Sequence, residues 1–170
     1  FEVRAADKFD ALTRIIDIEP EFYGLVFCRT RNDVDELTMR LAERGYSVEG
    51  LHGEITQAQR EKTLNKFRKR LVNILVATDV AARGIDIADL SHVINYSLPQ
   101  DPESYVHRVG RTGRAGKEGT AITFVTPQEQ RRLTFFQKSI KFKIRKERLP
   151  QVSDIVEVKW SLILDGLSQI

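Results

Sequence analysis

Among its 170 residues the chain has one cysteine, one methionine and one tryptophan, and it has no long apolar run. The lone Cys28, set inside the apolar stretch FYGLVFC, excludes a disulfide framework and a cysteine zinc site within one chain. The three histidines, His52, His92 and His107, show no H-E-x-x-H spacing, which argues against a metal site. No segment approaches the ~18 consecutive apolar residues of a membrane helix. The first residues, FEVRAADKFD, are too charged for a signal peptide, so a cytoplasmic protein without membrane contact is expected. What the chain does have is 41% hydrophobic and 30% charged residues, the balance of a globular domain able to bury its own core.

Basic and acidic residues nearly cancel, with 27 against 24, but they are not evenly spread. Residues 131–148 hold eight basic side chains and one acidic, a net +7, so the remaining 19 basic and 23 acidic residues leave the rest of the chain at −4. Such a patch draws nucleic acid by releasing counterions, although a solvated helix face has the same composition. Phe135, Phe136 and Phe142 lie in this run. They have the chemistry to stack on bases, but the spacing of 135 and 142 suits a helix burying one apolar face, and a core role is the favoured expectation.

Short β-branched runs at residues 22–28, 47–52, 72–78, 92–96 and 119–125 read as strands. Between them, Val34, Leu37, Thr38 and Leu41 follow helical spacing up to Gly45. Thr56 and Gln59 form a candidate capping box ahead of Leu64 and Phe67. Asp101-Pro102 marks a further helix start. Alternating strands and helices with short links predict an α/β open parallel sheet covered on both faces. Ligands of such sheets gather where loops leave the carboxyl ends of strands. Here those loops are polar: Arg29-Thr30-Arg31, His52-Gly53-Glu54 and Thr78-Asp79. No linker divides residues 1–148, which are expected to be one domain, with 149–170 a helical extension.

Residues 105–116, YVHRVGRTGRAG, place Arg108, Arg111 and Arg114 at every third position around Gly110 and Gly113. At a helix end this sets the guanidiniums on one side, and each offers the planar fork that meets phosphate oxygens in pairs. The glycines let the backbone approach a ligand closely. The segment is no phosphate cradle of the P-loop kind, because Ala115 stands where a glycine is needed and Glu118 follows Lys117. No adjacent acid cluster is present to hold magnesium, so the chain is not expected to hydrolyse ATP unaided. A second constellation, ATDVAARGIDI, follows the strand NILV: Thr78 can donate to a phosphate, Gly84 permits close approach and Asp86 can accept from ribose hydroxyls. Asp79 and Asp86 equally suit turns and caps.

Taken together, these segments resemble the second RecA-like domain of DEAD-box ATP-dependent RNA helicases, in wording similar to the bacterial cold-shock, DeaD-like branch. The resemblance covers about residues 8–145 and keeps the family's order: VFCRT like motif IV, QAQR at Gln57 to Arg60 like motif IVa, TDVAARGID like motif V and HRVGRTGR like motif VI. Glu54 departs from the commoner HGD, and Val109 from the usual Ile. The resemblance implies that Arg111 and Arg114 are arginine fingers on an ATP held mainly, with its Mg2+, by an N-terminal RecA-like domain of the same parent chain. It implies nucleotide contacts from Gly84 and Asp86, coupling through His107, and contacts of Thr30, Gly53, Arg60 and Thr78 with the RNA sugar-phosphate backbone.

A free-standing RNA-binding module without ATPase activity is the alternative expectation. In the tail, Val156, Trp160, Ile163, Leu164 and Leu167 form a helical stripe while Ile155, Val158, Leu162 and Ile170 lie off it, so a helix there has two apolar sides to cover. Some DeaD-like proteins have a dimerisation region just past the motor domain, which makes a homodimer through the segment after residue 149 an expectation as well. Cys28 reads as a core or strand-end side chain and His92 as structural, as does His52 unless its loop touches RNA.

Overall fold

The computed structural model describes residues 3–82, 85, 87, 89–98 and 120–139, the side chains at 136, 137 and 139 excepted. The elements are α1 (Lys8–Ile18), β1 (Gly24–Phe27), α2 (Arg31–Glu43), β2 (Val48–Leu51), α3 (Gln57–Arg68), β3 (Ile74–Ala77), the single turn α4 (Asp79–Ala82), β4 (His92–Asn95), β5 (Thr120–Thr123) and α5 (Gln130–Ser139). All five strands run parallel in the order β2-β3-β1-β4-β5. Each strand lies inside one of the apolar runs singled out in the sequence, and the expected α/β open sheet is the observed fold. The helix start at Asp101, Phe142 and the 149–170 extension lie outside the described residues.

Alternation along the strands divides the core in two. Val26, Ile74, Val76 and Ile94 face one side, where Phe9, Leu12, Ile15 and Ile16 of α1 and Val34, Leu37 and Leu41 of α2 cover them. Leu25, Phe27, Leu75, Ala77 and Val93 face the other, against Leu64 and Phe67 of α3. Successive side chains of a strand point to opposite faces, so a strand buried on both sides is apolar throughout. GLVF and ILVA read that way and are buried at every position. Each buried Leu, Ile or Phe contributes about 1.5–3 kcal/mol relative to exposure. Cys28 is buried, as expected, and His92 is buried as well.

The ends of α2 and α3 explain how the chain turns. Gly45 follows α2 with φ +88, the left-handed position where glycine is favoured. At the end of α3 the same position is held by Arg70 at φ 59, with Leu71 N donating to Lys66 O at 2.9 Å and Arg70 N to Phe67 O at 3.0 Å. The Arg70 guanidinium lies 4.1 Å over the Tyr23 ring, which stacks on Phe67 at 4.5 Å. This cation–π contact offsets the backbone cost of a non-glycine residue there. The Tyr23 hydroxyl donates to Phe67 O at 2.7 Å, and burial raises its pKa.

α5 corrects one expectation. Phe135 is 60% exposed and is no part of the core. The inward side of the helix instead includes the half-buried Arg132 and Leu133, with Arg132 Nη2 donating to Leu98 O at 3.5 Å. Among the described residues of the helix the partly covered positions are 130, 132 and 133, and Phe135 lies off them.

Candidate functional site

Parallel pairing brings the carboxyl ends of the strands to one edge: Phe27 is opposite Ala77 and Asn95, and Leu51 is opposite Ala77. The ladder runs one residue further, with Cys28 N donating to Ala77 O at 2.9 Å and Tyr96 N to Phe27 O at 3.0 Å. The connection leaving β1 goes one way along the sheet and that leaving β4 goes the other, the arrangement that opens a ligand crevice at this edge.

Three threonines begin the helices that leave this edge. Thr30 Oγ1 accepts from Asp33 N at 3.1 Å, Thr56 Oγ1 from Gln59 N at 3.1 Å and Thr78 Oγ1 from Ala81 N at 3.3 Å. An N-cap uses the hydroxyl as an acceptor, so each O–H remains a donor for an acceptor outside the helix. The amino ends of α2 and α3 also carry the positive end of the helix dipole, which favours anions. The Thr56 cap is visible in the sequence, although Thr56 is not among the expected site residues; that Thr30 and Thr78 share its geometry is visible only in the structure. The signal the three share is their place, a threonine standing between a strand and a helix.

The loop between β2 and α3 is tied to α2. His52 Nδ1 accepts from Glu54 N at 3.2 Å, which places the ring proton on Nε2, 3.0 Å from Asp35 Oδ1. Arg31 pairs with Glu54 across the same gap. Neither tie was anticipated, and the second uses the glutamate that departs from HGD. Between them Gly53 has no atom within 4 Å of where a Cβ would stand, and its φ is not in the left-handed region. Arg60 lies half-buried in the first turn of α3.

The edge thus gathers Thr30, Gly53, Arg60 and Thr78 onto adjacent strand ends and helix starts. Its chemistry is that of hydroxyl, backbone N–H and guanidinium donors, suited to phosphate and sugar oxygens. The family pattern described as helicase conserved C-terminal domain matches residues 7–116. The chain belongs to this family, in its DEAD-box branch.

The DEAD-box ATP-dependent RNA helicase CshA of Bacillus licheniformis is 48% identical over 169 residues, taking in 99% of this chain and 35% of that protein. The chain spans about a third of the length of the curated relatives it matches. A DEAD box protein of Methanococcus jannaschii superimposes with a TM-score of 0.81 at 48% identity, over 86% of this chain and 40% of that one. The E. coli DEAD-box protein SrmB, solved bound to regulator of ribonuclease activity A, gives 0.76 at 37% identity, over 88% and 94%. The fold is therefore the RecA-like fold of DEAD-box C-terminal domains.

Other expected site residues of this DEAD-box domain, Gly84, Asp86, His107, Arg111 and Arg114, lie outside the described residues. Among the described residues no group of His, Cys, Asp and Glu is placed to hold a metal ion, and no helix is long and apolar enough to cross a membrane. A cavity of about 510 Å³ lies beside the amino ends of the strands, lined by residues such as Phe22, Arg70 and Asp89, and it contains none of the expected site residues.

Proposed function

We propose that this domain is the C-terminal motor half of an ATP-dependent RNA helicase that locally unwinds or remodels RNA. Thr30, Gly53, Arg60 and Thr78 hold the sugar-phosphate backbone, so binding is tolerant of sequence. The observation that carries this is Gly53. Neither its φ nor any neighbour within the chain calls for glycine, yet it sits between capped helix starts, where a phosphate would meet bare backbone.

Arg111 and Arg114 are the arginine fingers, Gly84 and Asp86 touch the nucleotide, and His107 couples the nucleotide to the RNA. The ATP and its Mg2+ are held mainly by an N-terminal RecA-like domain of the same parent chain. Fingers delivered by a second body make hydrolysis conditional on closure, and the fragment alone is inactive as an ATPase. Residues 1–148 are the domain proper, and the segment after 149 begins a homodimerisation region. The protein works in the cytoplasm.

The test is to join the chain to its N-terminal half and measure ATP turnover with and without RNA. Stimulation by unrelated RNA sequences is expected. A joined protein with no RNA-stimulated turnover would leave only a binding module. Sedimentation of the parent tests the dimer: a monomer refutes it.

A further inference from the structure

We propose that the outward face of α5, built from Arg131, Phe135 and Lys138, is a stacking platform for single-stranded RNA. RNA as the polymer rests on the function proposed above; the platform itself rests on α5.

Arg131, Thr134, Phe135 and Lys138 are all exposed, and they recur at i, i+3, i+4 and i+7, which is one face of a helix. Phe135, at 60% exposure, is among the most exposed large apolar side chains of the described residues, and it stands between two cations. Arg131 and Lys138 are seven residues apart, about 10 Å along the axis, so one cation lies to either side of the ring. Within Gln130–Ser139 there is no acidic residue to pair with them. Glu129, just before the helix, is engaged by its own cap, where its Oε1 accepts from both the N–H and the hydroxyl of Thr126 at 2.9 Å.

Two other polar side chains of the helix are directed elsewhere. Arg132 reaches Leu98 O, and the Thr134 hydroxyl donates to Gln130 O at 3.0 Å. Sequence continues the charge, since residues 131–148 are net +7. An aromatic ring flanked by cations matches the two faces of an unpaired nucleotide: the base stacks on Phe135 while its phosphates meet Arg131 and Lys138. Paired bases inside a duplex offer no such face.

α5 also starts from the edge of the sheet that carries the backbone-binding residues. β5 is parallel to the other strands, so the turn at Pro127–Glu129 and the start of α5 leave from the carboxyl edge that carries Thr30, Gly53 and Thr78.

The experiment measures binding of this chain to an oligouridylate single strand and to a blunt-ended RNA duplex. Phe135→Ala is expected to weaken oligouridylate binding about five- to hundredfold, the effect of losing one base–aromatic stack, with the duplex unchanged. Phe135→Trp should restore the affinity. Arg131→Gln and Lys138→Gln should each make the salt dependence on oligouridylate shallower by about 0.7 in log–log slope. Undiminished oligouridylate binding by Phe135→Ala overturns the platform. So does a marked fall in melting temperature for that variant, because the ring would then be covered by the chain itself. If Phe135→Ala is silent while Arg60→Ala weakens both RNAs, the platform fails and the backbone site stands; the reverse pattern retains the platform and discards the backbone site.

Discussion

The His52 ring bridges two elements, with Nε2 3.0 Å from Asp35 Oδ1 on α2 while Nδ1 receives the Glu54 N–H of its own loop. Its side chain is only 10% exposed, whereas that of Asp35 is 66% exposed. The cost of losing the ring is therefore set by two hydrogen bonds to a covered ring, about 2 kcal/mol together. The neighbouring Arg31–Glu54 pair is more than half exposed at both ends and contributes less than about 1 kcal/mol. His52→Ala should thus lower the urea midpoint clearly more than Glu54→Ala. Equal shifts would mean the loop is held by the ion pair instead.

Two glycines close together in sequence should behave in opposite ways. A Cβ on Gly50 would stand 2.7 Å from Thr38 Oγ1 and 3.2 Å from Val34 Cγ1, inside the packing of β2 on α2. Gly50→Ala is expected to destabilise by about 1–3 kcal/mol, the usual cost of overpacking. Gly53→Ala meets nothing in the chain and should leave stability within about 0.5 kcal/mol. Its effect should fall on RNA, where the added methyl keeps a phosphate from the backbone. Thermal melts with RNA titrations separate the two, and a Gly53→Ala chain that binds RNA normally would remove the loop from the site.

The finger role proposed for Arg111 and Arg114 makes a sharper demand on the joined protein. Arg111→Ala or Arg114→Ala should cut ATP turnover by about a thousandfold, the low end for losing a finger, while RNA affinity without nucleotide barely changes. Near-normal turnover in either variant would reassign that arginine to a structural pairing.

The fold was legible because both faces of the sheet are buried. A strand such as ILVA has no polar side, and its apolar run stands out from the helical spacing around it. Thr30 and Thr78 were legible as ligand-edge residues from their place after a strand, yet their capping geometry was not, since an N-cap depends on where the third residue's N–H points. The His52–Asp35 contact joins residues 17 apart, and no local pattern encodes it. α1 escaped notice although Phe9, Leu12, Ile15 and Ile16 are its buried stripe. Phe135 was misread because helical spacing fixes which residues share a face and leaves open which face turns inward.

His92 links the fold to pH. The ring is buried, stacked on Phe22 at 4.9 Å, and bonded through Nδ1 to Ser91 Oγ at 2.7 Å. Burial lowers its pKa from the ordinary 6.5, and Glu19, 3.7 Å from Nε2, opposes that shift without cancelling it. As pH falls through 6.5 the unfolded chain takes up the proton first and the folded chain only at lower pH. The unfolded state then binds more protons, so stability is complete above 6.5 and declines as pH drops toward the folded value. Urea midpoints should fall from about pH 7 to about pH 5, the window in which histidine titrates. His92→Gln, whose amide does not titrate, should flatten that part of the profile even if its midpoint at neutral pH is lower. An unchanged slope in His92→Gln would assign the acid sensitivity to carboxylates instead.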